Sequence, residues 1–369
     1  MKFRLLTKGP RADYVLLLAV LLLTVIGLVV LASASAELGR AKYGDSYYYL
    51  KRQILMGFLP GLALFLVGFR LNYQFYKKIA LIGLLGNILL LALVFSPWGV
   101  GGGGATRWLS LGPLTFQPAE LLKISLVIYL AAWLANPRFN RSQSMRVGFL
   151  PFLTICGIVA VLLLLQPATS MVVILMLAGL TMYFASGAKF RYILLAITGG
   201  LVALALVIYS TPYRRDRLLA YFNPTADTQN EGYQLNQALI AIGSGGLAGI
   251  GYGQSTSKVR ALPTPVDDSI FAVAAQELGF LGAGFMVVLF AILVWRLLWI
   301  ARRLRDRFGQ IILVGFAAII GLQSFINMAA ISGLIPLTGL PLPFVSYGGT
   351  ALAVFLAMSG IALNVSRNA

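Results

Sequence analysis

Residues 14–36 read YVLLLAVLLLTVIGLVVLASASA, an apolar run with no charged side chain. Wound as a helix at 1.5 Å per residue, it crosses roughly 30 Å of hydrocarbon. Ala32-Ser33-Ala34-Ser35-Ala36 has the small-residue pattern of a signal-peptide cleavage site. The apolar region before it is too long for a cleaved leader, so it reads as a retained signal anchor.

Nine further runs of similar character follow, at roughly 53–69, 79–96, 118–135, 148–165, 169–186, 191–210, 270–295, 310–333 and 346–365. Pro, Gly or charge clusters separate nearly all of them, and the fifth and sixth spans are divided only by Gln166-Pro167. With 59% hydrophobic residues and a mean hydropathy of +0.87, no soluble domain could cover this much apolar surface. The expected fold is an all-α integral membrane protein of about ten transmembrane helices. It forms one polytopic domain over 1–369, with a large extracytoplasmic loop at 211–269.

Ten spans put both termini on one side, and basic residues choose the side. The N-terminus, the alternating loops and the tail on that side carry 18 of the 29 Lys and Arg residues, the opposite side 10, and Lys123 lies within a span. By the positive-inside rule both termini are cytoplasmic. The net charge of +18 is therefore topogenic and calls for no nucleic-acid partner.

The chain has no histidine and a single cysteine, Cys156. Ser-His-Asp triads, HExxH zinc sites, histidine-ligated haem and internal disulfides are excluded. Chemistry falls to the 11 acidic residues and the cations facing them. Asp267 and Asp268 stand side by side in Leu262-Pro263-Thr264-Pro265-Val266-Asp267-Asp268-Ser269-Ile270-Phe271, where the long polar loop meets an apolar helix. Burial and mutual repulsion tune such a pair toward neutral pH. The alternative is that Asp267, Asp268 or Ser269 caps the next helix.

The other outer loop leads through Gly101-Gly102-Gly103-Gly104-Ala105-Thr106-Arg107-Trp108 to Phe116-Gln117-Pro118-Ala119-Glu120-Leu121-Leu122-Lys123. Pro118 suits the first turn of a helix, and Glu120 and Lys123, three apart, share one face. Charges inside a span face a partner or a cavity. They form either a structural ion pair or a pyrophosphate contact through Lys123, oriented by Glu120. Arg107 is a second cation for that contact, or an interfacial anchor beside Trp108. The run Ile242-Gly243-Ser244-Gly245-Gly246-Leu247-Ala248-Gly249-Ile250-Gly251-Tyr252-Gly253 either offers backbone N–H groups to a phosphate, near Ser244, or marks tight packing. Glu277, nine residues past Asp268, is expected to serve packing. An outward-facing enzyme finds no nucleotide donor, so its substrate must carry its own activation, as a lipid-linked sugar pyrophosphate does.

Several of these stretches resemble the SEDS family of peptidoglycan polymerases, FtsW and RodA. They are Gly104-Ala105-Thr106-Arg107-Trp108 with Phe116-Gln117-Pro118-Ala119-Glu120, Glu231-Gly232-Tyr233-Gln234 and Ile242-Gly243-Ser244-Gly245-Gly246. Leu262 through Glu277-Leu278-Gly279 is similar to the family's catalytic loop, and Pro341-Leu342-Pro343-Phe344-Val345-Ser346-Tyr347-Gly348-Gly349 to the start of its last span. Gly253-Gln254-Ser255-Thr256-Ser257-Lys258 is closer to the division member, FtsW. The resemblance implies a glycosyltransferase that polymerises lipid II, an undecaprenyl-pyrophosphate-linked disaccharide peptide, with inversion. It places the catalytic aspartate, a general base, on Asp268 and the family's glutamate and lysine on Glu120 and Lys123. Arg107, Asp267, Ser244 and Lys258 are the further substrate-binding candidates. A divalent cation, Mg or Mn, is a candidate aid at the pyrophosphate. Implied partners are a class B penicillin-binding transpeptidase and other divisome proteins in the plasma membrane. Two departures stand out: Gln166-Pro167-Ala168 where the family carries an acid last, and Ser269 where it carries an aromatic.

Two other readings compete. A flippase for the same lipid would use Pro336, Gly339, Pro341 and Pro343 to break helices around a pathway. A silent divisome scaffold would have no need of Asp268 or the Glu120–Lys123 pair.

Overall fold

The computed structural model describes residues 12–102, 105–112, 114–136, 141–222, 231–255, 257 and 262–369. All ten expected apolar runs are helical. They are α1 (Tyr14–Tyr43), α2 (Tyr48–Arg70), α3 (Gln74–Leu93), α4 (Pro118–Leu134), α5 (Met145–Leu165), α6 (Thr169–Ala185) and α7 (Phe190–Tyr209), followed after the outer loop by α10 (Ile270–Arg303), α11 (Arg307–Ile331) and α12 (Gly349–Ser366). Eight of them are long and apolar enough to cross a bilayer, and α6 is a shorter apolar helix. The protein is an integral membrane protein. The long loop 211–269 adds two helices, α8 (Pro212–Phe222) and α9 (Glu231–Ser244).

The loop 97–117 departs from an all-helical plan. It folds into a three-stranded antiparallel sheet, β1 (Gly99–Gly102), β2 (Ala105–Leu111) and β3 (Leu114–Phe116), in the order β1-β2-β3. The stretch Thr106 to Leu111 alternates, with Leu109 buried and Trp108 exposed, which suits a half-buried strand. A register shift at Val100/Gly101 bends β1.

The helices at the centre are α11 and α12, while α7 is almost wholly exposed and its apolar surface suits lipid. Between membrane helices, where lipid is as apolar as leucine, close approach of small residues supplies the attraction. Accordingly α2 and α12 meet through glycines. A Cβ added to Gly61 would come within 2.9 Å of Ala353 Cα, and one added to Gly360 within 2.2 Å of Phe65 O. At the opposite end from the outer loop, Asp13 caps α1 by accepting from Leu16 N at 2.9 Å. The same carboxylate takes Arg296 of α10 in a forked pair, Nη2 to Oδ2 2.7 Å and Nε to Oδ1 3.0 Å. That pairing ties the first helix to the longest one.

α10 is broken at Gly279, whose φ of 70° and ψ of −172° are non-helical. A break in a membrane helix frees backbone groups that lipid cannot satisfy. Here the glycine-rich run satisfies them: Phe280 N donates to Gly246 O at 2.8 Å, Leu281 N to Leu247 O at 3.1 Å, Ile250 N to Gln276 O at 3.1 Å and Gly251 N to Glu277 O at 3.2 Å. The approach is too close for side chains, since a Cβ on Gly279 would lie 2.2 Å from Gly249 N. Of the two readings of that run, tight packing is the one the structure carries.

Candidate active site at the long polar loop

The half-helix 270–278 presents its N-terminal end to the outer loop, and Asp267 and Asp268 immediately precede it. Neither caps it. Ser269 holds the cap position and its side chain makes no capping bond. The Asp268 carboxylate instead turns into a polar setting, where its Oδ1 accepts from Thr264 Oγ1 and, at 3.4 Å, from Gln234 Nε2. Gln234 Nε2 also donates to Ser269 Oγ at 3.0 Å. Thr264 adopts a left-handed φ of 46°, a conformation β-branched residues rarely take and one typical of functional loops. Arg217 of α8 faces the same place: a Cβ built on Gly339 would lie 3.8 Å from Asp268 Oδ2 and 3.9 Å from Arg217 Nη1.

The loop is held from behind by its main chain. Asn327 of α11 donates to Asp268 O at 2.9 Å, Ser346 Oγ donates to Asp267 O, and Tyr347 N donates to Val266 O at 2.9 Å. Gln53 of α2 braces the far side, accepting from Gly348 N at 3.0 Å and donating to Ser346 O at 3.3 Å. The preceding segment 334–345 is non-helical, as Pro336, Pro341 and Pro343 require, and Asn327 binds its Leu340 O at 2.7 Å. Gln323 Nε2 binds Pro341 O at 2.8 Å from α11.

Burial pushes both carboxyls up from the ordinary aspartate value. For Asp267, which keeps an exposed face, burial by the surrounding protein and repulsion from Asp268 lift it to about 6, against a pull from Lys42. For Asp268 burial raises it, while hydrogen bonds from Thr264, its own main chain and Gln234, and the charge of Arg217, pull back. A carboxylate that is desolvated yet oriented by donors is a stronger base than an ordinary aspartate and is aimed to take a proton.

Glu120 and Lys123 form an ion pair of 2.7 Å, with side chains 3% and 0% exposed. Lys123 Nζ also sits 4.7 Å above the ring of Phe355 in α12. The start of α4 is linked to the start of α12 by Gln117 N donating to Thr350 Oγ1 at 3.3 Å. Arg107 of β2 lies elsewhere, donating to Gln166 O at 3.2 Å and Pro167 O at 2.6 Å, in the turn between α5 and α6. Ser244 belongs to an internal network in which Gln276 Nε2 reaches Ser244 Oγ at 2.9 Å and Ser257 Oγ at 3.1 Å. Glu277, as expected, is a packing residue there, accepting from Ser33 Oγ at 2.7 Å. Lys258 lies outside the described residues. Among the described residues no three acidic or cysteine side chains converge as a metal cage. The aspartate pair fits a divalent ion only in the shared manner of magnesium, one or two carboxylates completed by substrate phosphates.

Arg217 and Asn327 were not singled out by the sequence, and Gln234 and Thr264 stood inside quoted stretches without a role of their own. For Asn327 the usable signal was its spacing from Gln323, two amides four apart in an apolar span.

A family model described as "Cell cycle protein", covering FtsW, RodA and SpoVE, matches residues 13–369. The chain belongs to this family. It is 38% identical over 358 residues to a probable peptidoglycan glycosyltransferase FtsW of Geobacter sulfurreducens, covering 96% of this chain and 95% of that one. It is 36% identical over 363 residues to stage V sporulation protein E of Bacillus subtilis, covering 98% of each. Among solved FtsW/RodA-like structures, a chain studied for the structural coordination of polymerization and crosslinking by a peptidoglycan synthase complex superposes with a TM-score of 0.79. Identity there is 29%, over 96% of this chain and 98% of that one. Thermus thermophilus RodA gives 0.70 at 29% identity, over 96% and 97%.

Proposed function

We propose that this chain is a peptidoglycan glycosyltransferase that polymerises lipid II during septal wall synthesis, with Asp268 as general base. One observation carries the reading: Asp268 is desolvated, yet held by Thr264 and Gln234 and faced by Arg217. The names of the relatives support the substrate, and the likeness to a synthase-complex chain supports a cross-linking partner of the class B transpeptidase type.

The reaction is a single in-line displacement. The acceptor sugar hydroxyl attacks the anomeric carbon of the donor, and its proton passes to Asp268. The anomeric C–O bond to undecaprenyl pyrophosphate breaks, and the configuration inverts. Negative charge grows on the departing phosphate, so cations fixed there stabilise the transition state more than the ground state. Lys123, oriented by Glu120, is the cation assigned to it. A divalent ion shared with Asp267 or Asp268 would neutralise the same phosphates.

Both termini are placed in the cytoplasm and the aspartates outside by the basic-residue bias. A thiol label attached after Asp268 but not after Arg303 from outside the cell agrees with this, and the reverse pattern refutes it.

The deciding experiment is purified protein with lipid II, with and without a class B transpeptidase, read as glycan polymer on a gel. Asp268→Asn should cut polymerisation about a hundredfold or more with little change in Tm, because asparagine keeps the shape but takes no proton. Asp267→Asn should be milder. Full activity in Asp268→Asn removes the assignment.

A further inference from the structure

The adjacent carboxylates look to different sides. Asp268 meets α8 and α9 through Arg217 and Gln234. Asp267 is in electrostatic reach of Lys42, Tyr49 and Tyr347 instead, on the side of the turn joining α1 to α2.

That turn carries an aromatic wall. Tyr43 stacks on Tyr48 with centroids 3.7 Å apart, Tyr49 meets both edge-on at 5.9 and 5.6 Å, and Tyr49 meets Tyr347 edge-on at 5.1 Å. Tyr347 joins the wall to the catalytic loop through its bond to Val266 O. The turn is made rigid by Gly44 at a φ of 71° and by Asp45, which accepts from Tyr47 N at 2.9 Å and Lys51 Nζ at 2.7 Å. Lys51 is so engaged, while Lys42 and Arg52 beside the wall are both exposed, Arg52 donating to Tyr48 OH at 3.3 Å.

Rings that offer C–H surfaces a stacking face, beside two cations and next to a carboxylate, match one chemistry: a saccharide carrying a pyrophosphate. Glycan polymerisation brings two such headgroups to a single base. The donor's pyrophosphate leaves and is assigned above to Lys123. The acceptor keeps its own.

We propose that the α1–α2 turn with Tyr347 is a second subsite, binding the acceptor's pyrophosphate-linked saccharide on the Asp267 side of the base. This rests on the glycosyltransferase reading. Cations at a phosphate that does not leave act alike in ground and transition states, so they set KM rather than kcat. That separates Arg52 from Lys123. It also separates the subsite from a plain interfacial belt of tyrosines with basic neighbours, which would move neither constant.

The test uses the full chain in lipid nanodiscs, with fluorescent lipid II as the probe. In an Asp268→Asn background, which cannot turn over, Arg52→Gln and Tyr43→Ala should each weaken binding about tenfold, and Arg52→Lys should recover part of it. Tyr43 is 50% exposed and Arg52 is exposed, so neither change should disturb folding, which Tm checks. With Asp268 present, Arg52→Gln should raise KM about tenfold and leave kcat within about threefold. Binding by both variants within about twofold of the parent, or a kcat loss at unchanged KM, overturns the subsite. Activity surviving in Asp268→Asn would instead remove the base assignment, and the binding result would still decide the subsite.

Discussion

Asn327 holds Asp268 by its main chain: one amide nitrogen donates to Asp268 O at 2.9 Å and to Leu340 O at 2.7 Å. The side chain is 2% exposed, so no solvent can take over either bond. Asn327→Ala leaves two buried carbonyls unpaired, at a cost of about 1–3 kcal/mol each. The expected result is a lower Tm together with a fall in kcat larger than any change in KM, because the loop that aims the base loosens. A lower Tm with an unaltered kcat would leave Asn327 a purely structural role.

The Glu120–Lys123 pair admits a sharper separation of stability from chemistry. Each single alanine variant strands a charge in the protein interior, and breaking such a pair costs about 3–5 kcal/mol. The double variant Glu120→Leu with Lys123→Met strands none, and apolar replacements of a buried pair are often neutral. It should regain most of the lost Tm while polymerisation stays about a hundredfold or more below the parent, since the cation assigned to the leaving phosphate is gone. A double variant that polymerises at the parental rate would make the pair a structural one.

The fold was legible because hydrophobic runs of bilayer length leave few alternatives: every expected span is a helix, although α1 runs on past residue 36 to Tyr43 and α10 past residue 295 to Arg303. The break at Gly279 was not. Its cause is the glycine run some thirty residues earlier, and only their packing turns two unremarkable glycine patterns into one junction. The small sheet at 97–117 hid behind a glycine-rich start, although Thr106 to Leu111 alternates as a strand does. At the site, Asp268 and the Glu120–Lys123 pair were visible as charges where charge is costly. Arg217 was not, because it comes from a helix of the polar loop, where a charged side chain needs no explanation. Gln234 stood in a quoted motif, but nothing in the sequence tied it to Asp268. Thr264 was hidden for another reason: its role depends on a left-handed backbone that sequence does not announce.

The same junction gives a prediction on folding. Gly279→Ala places a methyl 2.2 Å from Gly249 N and holds alanine at a φ of 70°. The backbone strain alone costs about 1–3 kcal/mol, and relieving the clash must separate the half-helix 270–278 from its hydrogen-bonded partner. A clear loss of Tm is expected, with polymerisation reduced in whatever fraction remains folded. Gly284, which has open space around it, is the control, and Gly284→Ala should change little. Equal effects from the two would mean that the junction is not a constraint.

Acidity offers a test that separates the two aspartates. Burial and repulsion from Asp268 push the Asp267 carboxyl up to about 6 from 3.8, so between those values the folded state holds the extra proton. Stability must therefore fall as pH rises through that window, the penalty being absent below 3.8 and complete above about 6. Asp267→Asn cannot ionise, so it should raise Tm at pH 7, and the advantage should fade as the buffer is taken toward pH 4. Activity follows the other carboxyl. Burial is the chief cause of the upward shift at Asp268, and Asp267→Asn leaves that burial in place. Since the base works only when deprotonated, kcat/KM should drop on acidification at a pH above 3.8, and the same limb should persist in Asp267→Asn. An acid limb that disappears with Asp267 would move the base one residue back along the chain.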